Sequence, residues 1–360
     1  MATVGPKTGG FWLWRKQATA SVLTALLPRA LAAPLPLERP LRVGYLRFDR
    51  RVGEVLLQTP LYAAHKAARP LDTVVAVVHP RMARVLRGQD GIDELVPFSW
   101  RGFPLTAESR AWLAALRSLR LDVAVDCSDP TIFSVGHVVA TRLTGAPHRV
   151  GFHRGPAEAH YTRTVPVPDP VHEASARAAL LEPFGVRASP ELRFTPHPAT
   201  PVRVDGADVV ARMAAEPGRH AVVCPGGRLA WRRGGAEHFG ALAAAVLAAG
   251  RTAWLAPGPG EEPLCRDVAA LAPGARLLPV TDLDQLGAVM RAAGVVACNN
   301  SGTMHLACAV GARTFALFVH MDPVRWGHPQ PQHRMYVLDP AAPDATVRLV
   351  DAFRAFLEAA

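Results

Sequence analysis

From residue 41 onward, short apolar runs rich in Val, Ile and Leu alternate with helical stretches, and the alternation comes in two series. A parallel sheet demands this order, because a parallel neighbour is reached only through a long crossover that is usually a helix. In the first series strands are expected at 41–48, 73–78, 94–98, 122–126 and 149–152, with helices at 52–68, 80–86, 107–119 and 132–144. The second series puts strands at 221–224, 252–256, 276–278, 295–298 and 314–319, with helices at 236–249, 261–271, 283–293 and 303–310. A last amphipathic helix is expected at 345–359. The fold class is therefore α/β, with two doubly wound, Rossmann-like domains and ligands at the carboxyl ends of the strands. The domains are expected at 41–200, its end being a proline-rich linker from 166 to 201, and at 201–340, with the helix of 341–360 behind them.

Charge is unevenly divided. The 360 residues carry a formal net charge of +10, and only three of the cations are lysines. Before residue 200 there are 25 basic and 16 acidic residues, against 15 and 14 after it, so the excess belongs to the first half. A one-sided basic half points to an anionic partner or surface. Nucleic acid is disfavoured, because no recognisable binding module or aromatic stacking platform accompanies the charge. Five widely spaced cysteines without metal-ligand spacing read as small buried hydrophobes in a reducing, cytoplasmic setting.

Residues 1–40 place Phe11, Trp12, Leu13 and Trp14 beside Arg15 and Lys16, ahead of an apolar run too short to span a bilayer. An interfacial anchor, peripheral on an anionic membrane surface, is the preferred reading. A signal peptide cut near Ala30-Leu31-Ala32 and an unstructured leader are the alternatives.

Four segments at strand ends can carry chemistry. Arg47, Arg50 and Arg51 precede Gly53-Glu54, where a carboxylate sits in the first turn of a helix. After the strand ending at Cys224 comes Pro225-Gly226-Gly227-Arg228-Leu229-Ala230-Trp231-Arg232-Arg233, whose glycine N–H groups and arginines suit a diphosphate. Pro257-Gly258-Pro259-Gly260-Glu261-Glu262 offers a carboxylate to a ribose, the competing reading being two solvated first-turn acids. Asn299-Asn300-Ser301-Gly302-Thr303-Met304-His305 turns from a strand into a helix and presents free N–H groups to an anion. No G-x-G-x-x-G follows the first strand of either series, which disfavours a nicotinamide enzyme.

Taken in order, these segments resemble glycosyltransferase family 9, the lipopolysaccharide heptosyltransferases. The likeness is strongest from the first strand through Thr59-Pro60 and Ile92-Asp93-Glu94-Leu95-Val96-Pro97-Phe98, and again over Asn300-Ser301-Gly302-Thr303-Met304-His305-Leu306-Ala307 with Asp322-Pro323 behind it. Gly145-Ala146-Pro147-His148-Arg149-Val150-Gly151-Phe152 and Glu237-His238-Phe239 also look like family sequence. The resemblance implies a GT-B fold, in which two Rossmann-like domains face a central cleft. It further implies an ADP-heptose donor held by the C-terminal domain, a phosphorylated glycolipid acceptor held by the N-terminal one, inversion at the anomeric carbon, and neither metal nor cofactor.

Carried over residue by residue, the likeness makes Glu54 the base. Gly226, Arg232, Glu261 or Glu262, Asn300, Ser301, Gly302, Thr303 and His305 become the donor site, and Arg47, Arg50, Arg51 and Arg154 the acceptor site. Three departures from the family pattern stand out: Glu54 replaces the usual Asp, Arg232 replaces Lys with Gly234-Gly235 in place of Trp-Pro downstream of it, and Asn300 replaces Asp. These departures motivate one alternative function, a catalytically weak relative that binds glycan or nucleotide-sugar without efficient turnover.

Overall fold

The computed structural model describes residues 29–99, 107–197 and 200–359. By its contacts the chain divides into two units, Met1–Arg50 with Gln58–Pro190, and Arg51–Leu57 with Glu191–Ala360. The change of unit thus comes at Pro190, ahead of the boundary expected near 200, and a seven-residue excursion from the first half belongs to the second unit.

The first unit contains β1 (Arg42–Arg47), β2 (Thr73–Val78), β3 (Glu94–Pro97), β4 (Val123–Asp126), β5 (His148–Phe152) and β6 (Arg163–Val165). They form one sheet in the order β3-β2-β1-β4-β5-β6, parallel throughout. The central strands β1, β2 and β4 are buried along almost their whole length, which is why their sequences run apolar instead of alternating. Residues from Ala30 onward are part of this unit and not of a free leader. The Ala30 N–H donates to Ala159 O (2.8 Å), the Ala33 N–H donates to Thr162 O (3.3 Å), and Leu35 is buried. The tryptophan-bearing segment 11–16 lies outside the described residues. Among the described residues no helix is long and apolar enough to cross a membrane.

A short antiparallel hairpin, β7 (Arg203–Val204) with β8 (Ala207–Asp208), opens the bulk of the second unit. Its main sheet contains β9 (His220–Cys224), β10 (Thr252–Leu255), β11 (Arg276–Leu277), β12 (Val295–Asn299), β13 (Arg313–Phe318) and β14 (His333–Val337). The order β11-β10-β9-β12-β13-β14 repeats that of the first sheet, and all pairs are parallel. The strand order reverses between β9 and β12, which makes the loops after those two strands the expected ligand site. Behind the sheet, Leu349, Phe353 and Leu357 recur every fourth residue of the Ala345–Glu358 helix and bury against Phe239, Val246 and Phe315. Each such side chain contributes roughly 1.5–3 kcal/mol through lost contact with water.

Three local features differ from the sequence expectation. The helix expected over 52–68 is two helices, Val52–Leu56 and Thr59–Ala68, because Pro60 lacks an N–H and takes the first turn of a new helix. That break is also where the chain leaves the second unit for the first. The edge strands β6 and β14 were not expected, being short and only half-buried, with no apolar run to mark them. The helix Val209–Ala215, capped by the Asp208 carboxylate, lies between the proline-rich linker and the second series and was likewise not expected. All five cysteines are free and buried, and burial pushes the thiols of Cys127, Cys265 and Cys308 up to about 12.

Candidate active site

The loop after β9 is held from below by one side chain. Asn299, the last residue of β12, is buried, and its Oδ1 accepts from the Gly234 N–H at 2.8 Å. Its Nδ2 donates to Pro225 O (2.8 Å) and Gly226 O (3.1 Å). A carboxamide is suited to this place because it offers an acceptor and two donors in one plane. In the sequence Asn299 stands beside Asn300, the expected donor-site residue, with nothing to mark it as the residue that braces the loop. Asn300 is half-buried, and its backbone N–H donates to Leu317 O at 2.9 Å as the turn begins.

Glu261 holds the same loop from the β10 side. Its Oε1 accepts from the Gly227 N–H at 2.8 Å and its Oε2 from the Gly258 N–H at 3.0 Å. Arg233 adds a bond from Nε to Gly227 O. A Cβ on residue 226 would overlap the Glu261 carboxylate, so Gly226 is required by packing as much as by any ligand. Each Glu261 oxygen keeps a second lone pair, which leaves a ribose hydroxyl able to donate to it. Glu262 follows in the first turn of the Glu262–Leu271 helix.

After β12 the chain enters the Gly302–Ala309 helix. Ser301 is its N-cap, and the serine Oγ accepts from the Thr303 N–H at 3.2 Å. The Thr303 donor is thus already used within the turn. The Gly302 N–H remains at the positive end of the helix, a setting that favours an anion.

On this turn lies the Val52–Leu56 helix. A Cβ on Gly302 would come 3.5 Å from the Gly53 N, and one on Gly53 would come 2.5 Å from His305 Cδ2. Two glycines without side chains therefore let the helices touch, and Glu54 is carried to the anion turn. Glu54 is buried, and its Oε1 lies 3.0 Å from an Arg51 guanidinium nitrogen. Arg232 is nearby, with its guanidinium 4.5 Å above the Trp231 ring. Burial, and then the neighbouring charges of Arg228 and Arg51, lower the Arg232 guanidinium below its ordinary value. Three arginines against one carboxylate leave a positive field at this edge.

His305 is buried, and its Nδ1 shares a hydrogen bond with His328 Nε2 at 2.9 Å. The sequence singled out His305 and missed His328, which follows Gly327 with no motif of its own. Among the described residues, no group of three or more His, Cys, Asp or Glu side chains is arranged to hold a metal ion.

The arginines expected to meet an acceptor fall into two sets. The Arg47 and Arg154 side chains are buried and brace the first unit. Arg47 is 1% exposed, donates to Cys127 O and pairs with Asp49 at 2.7 Å. Arg154 pairs with Asp126 at 3.0 Å and also donates to Ser128 Oγ, Asp129 O and Ile132 O. Such a buried cation persists only because carboxylate and carbonyl oxygens replace its water. Arg50 is exposed at the end of the first unit, and Arg51 is exposed in the second.

Residues 114–353 match the family model of glycosyltransferase family 9 (heptosyltransferase), well over half of the chain. The chain belongs to glycosyltransferase family 9. No curated protein matches the chain in sequence. Among solved structures, the family 9 glycosyltransferase from Veillonella parvula DSM 2008 superposes with a TM-score of 0.73 at 17% identity, over 91% of this chain and 99% of that one. The E. coli ADP-heptose lps heptosyltransferase II gives 0.67 at 18% identity, over 89% and 99%. E. coli heptosyltransferase WaaC, with ADP-2-deoxy-2-fluoro heptose, also gives 0.67 at 18% identity, over 89% and 99%. The fold is accordingly GT-B, and the protein is a glycosyltransferase.

The matched range contains Arg232, Glu261, Asn300 and His305, whereas Glu54 precedes it. Gly234 is required by its packing. A Cβ on Gly234 would lie 2.9 Å from Leu317 Cδ1 and 3.3 Å from Phe239 Cε2. The loop is thus drawn down onto β13, where its N–H reaches Asn299.

Proposed function

We propose that the protein is an inverting heptosyltransferase that takes the sugar of ADP-heptose and passes it to a lipid-linked, anionic saccharide of the lipopolysaccharide inner core type. The observation that supports this reading is the seating of the Val52–Leu56 helix, which bears Glu54 in its first turn, on the Gly302–Ala309 helix, with Arg51 paired to Glu54 and its charge felt by Arg232. WaaC was solved with a fluorinated ADP-heptose, which supports the same class of donor for this chain.

In this mechanism the diphosphate lies against the Gly302 N–H and Arg232, and a ribose hydroxyl donates to Glu261 or Glu262. Glu54 takes the proton of the acceptor hydroxyl as that oxygen attacks the anomeric carbon from the face opposite ADP. The bond from that carbon to the diphosphate oxygen breaks, and the electron pair leaves with ADP. Its growing charge is met by the helix N-terminus and the arginine field, which are already in place before the reaction begins. Arg51 holds the Glu54 carboxylate through an ion pair at 3.0 Å. Exposed Arg50 and Arg51 are the acceptor's phosphate contacts in this reading, and the basic first half of the sequence favours an anionic lipid-linked substrate.

The test is ADP release from ADP-heptose with a heptose-free inner-core glycolipid as acceptor. Glu54→Gln is expected to lose about a hundredfold or more of turnover, the range of general-base catalysis, with ADP affinity retained. Unchanged turnover would remove Glu54 as the base. A wild-type protein that binds ADP yet releases none from the sugar nucleotide would instead be the weak, binding-only relative.

A further inference from the structure

Trp231 is the only aromatic side chain among the exposed large hydrophobic residues in the described part of the chain, with 56% of its surface open. It belongs to the single 3-10 turn Ala230–Arg232 in the loop after β9. His320, which follows β13, stacks on it with ring centroids 6.3 Å apart and planes inclined by 28°. The His320 backbone has φ of 54°, in the left-handed region where a glycine would fit without strain. A histidine kept in that conformation holds its ring against the indole at a conformational cost, and such costs gather at functional sites.

Place along the sheet decides which part of a substrate this pair can meet. The sheet runs β10-β9-β12-β13, so the Glu261 loop, the Ser301-Gly302 turn and His320 follow one another along its carboxyl edge. With the nucleoside at Glu261 and the diphosphate at the turn, the Trp231–His320 pair lies on the far side from the base, where sugar belongs. Arg228 is exposed beside it, and the Arg232 guanidinium is seated over the indole. An aromatic face beside fixed cations suits a pyranose that offers an apolar C–H face and an anionic substituent.

We propose that Trp231 and His320 form a stacking platform for a sugar ring of the acceptor, with Arg228 taking that ring's phosphate or carboxylate. This rests on the donor placement given under the proposed function and assigns part of the acceptor contact to the second unit.

Saturation-transfer difference NMR with mannose 6-phosphate as probe, in the presence of ADP, tests it. Ring C–H signals of the probe are expected, weaker for methyl mannoside and displaced little by inorganic phosphate. His320→Gly removes the ring while relieving the backbone, so a lost signal cannot be laid to misfolding. Both His320→Gly and Trp231→Ala are expected to weaken probe binding by about fivefold, the scale of one aromatic stacking contact. ADP affinity is read in His320→Gly, since Trp231→Ala also frees Arg232, and it is expected to hold.

Unchanged probe binding in both variants, or no probe signal in the wild type, overturns the platform. A matching loss of ADP affinity in His320→Gly also overturns it, because the ring stacked there would then be the donor's base. The outcome is independent of turnover: a protein that holds the probe on this platform but does not cleave ADP-heptose keeps the platform and loses the heptosyltransferase reading.

Discussion

Gly53 rests edge-on against the imidazole of His305, so near that a Cβ on residue 53 would come 2.5 Å from His305 Cδ2. His305 has little freedom to retreat, because it is buried and its Nδ1 is bonded to His328. The glycine before the carboxylate is therefore a spacer between two helices of the second unit.

Gly53→Ala should push the Val52–Leu56 helix away from the anion turn and carry Glu54 with it. A displacement of about 1 Å costs on the order of a hundredfold in rate, so kcat is expected to fall by that scale while ADP affinity stays within a fewfold. Steady-state kinetics paired with ADP calorimetry reads the split. If kcat is retained, the contact does not position Glu54.

Asn299 ties three backbone groups of the glycine loop, and Asn299→Ala leaves the Gly234 N–H and two carbonyls without it. Each unsatisfied buried group costs about 1–3 kcal/mol, so a clear fall in melting temperature is expected together with weaker ADP binding. Asn299→Asp should be no better, since its second oxygen would face the Pro225 and Gly226 carbonyls. Thermal melts with and without ADP test this, and a fully stable aspartate variant would contradict the assigned amide orientation.

Acid should weaken the first unit through His137. Its Nε2 accepts from the Phe48 N–H at 3.2 Å and its Nδ1 bonds Ser134 Oγ at 2.8 Å, a pattern that requires a neutral ring. Burial pulls the group down to about 4 from 6.5. Between those values the unfolded chain binds a proton that the folded one refuses, so stability declines as pH falls from about 6.5 towards 4, by on the order of 2 kcal/mol. His137→Gln should be less stable at pH 7 but show a flatter pH dependence by calorimetry. An equal slope in both proteins would place the acid sensitivity elsewhere.

The four candidate segments were legible because each combined a strand end with glycines or charge, and strand ends are where open α/β sheets bind ligands. Burial was not legible. Arg47, Arg50 and Arg51 look alike in sequence, yet Arg47 is committed to Asp49 and Cys127 O while Arg50 and Arg51 reach solvent. Arg154 is held by Asp126, 28 residues earlier in the chain. His328 and Asn299 act through partners 23 and more than 60 residues away, a distance at which spacing carries no signal.

The sequence by itself determined the two α/β series, the loops that can bind an anion, and the family to which those loops belong, because these depend on periodicity and on residues close together in the chain. Only the tertiary structure decided that Arg51–Leu57 leaves its own half to join the second unit, and that Gly53 and Gly302 let the Val52–Leu56 helix touch the Gly302–Ala309 helix. The same holds for which arginines are buried braces and which are exposed. These outcomes depend on what packs against what, and packing between distant segments is fixed by volume, burial and hydrogen-bond partners that exist only once the sheets have formed.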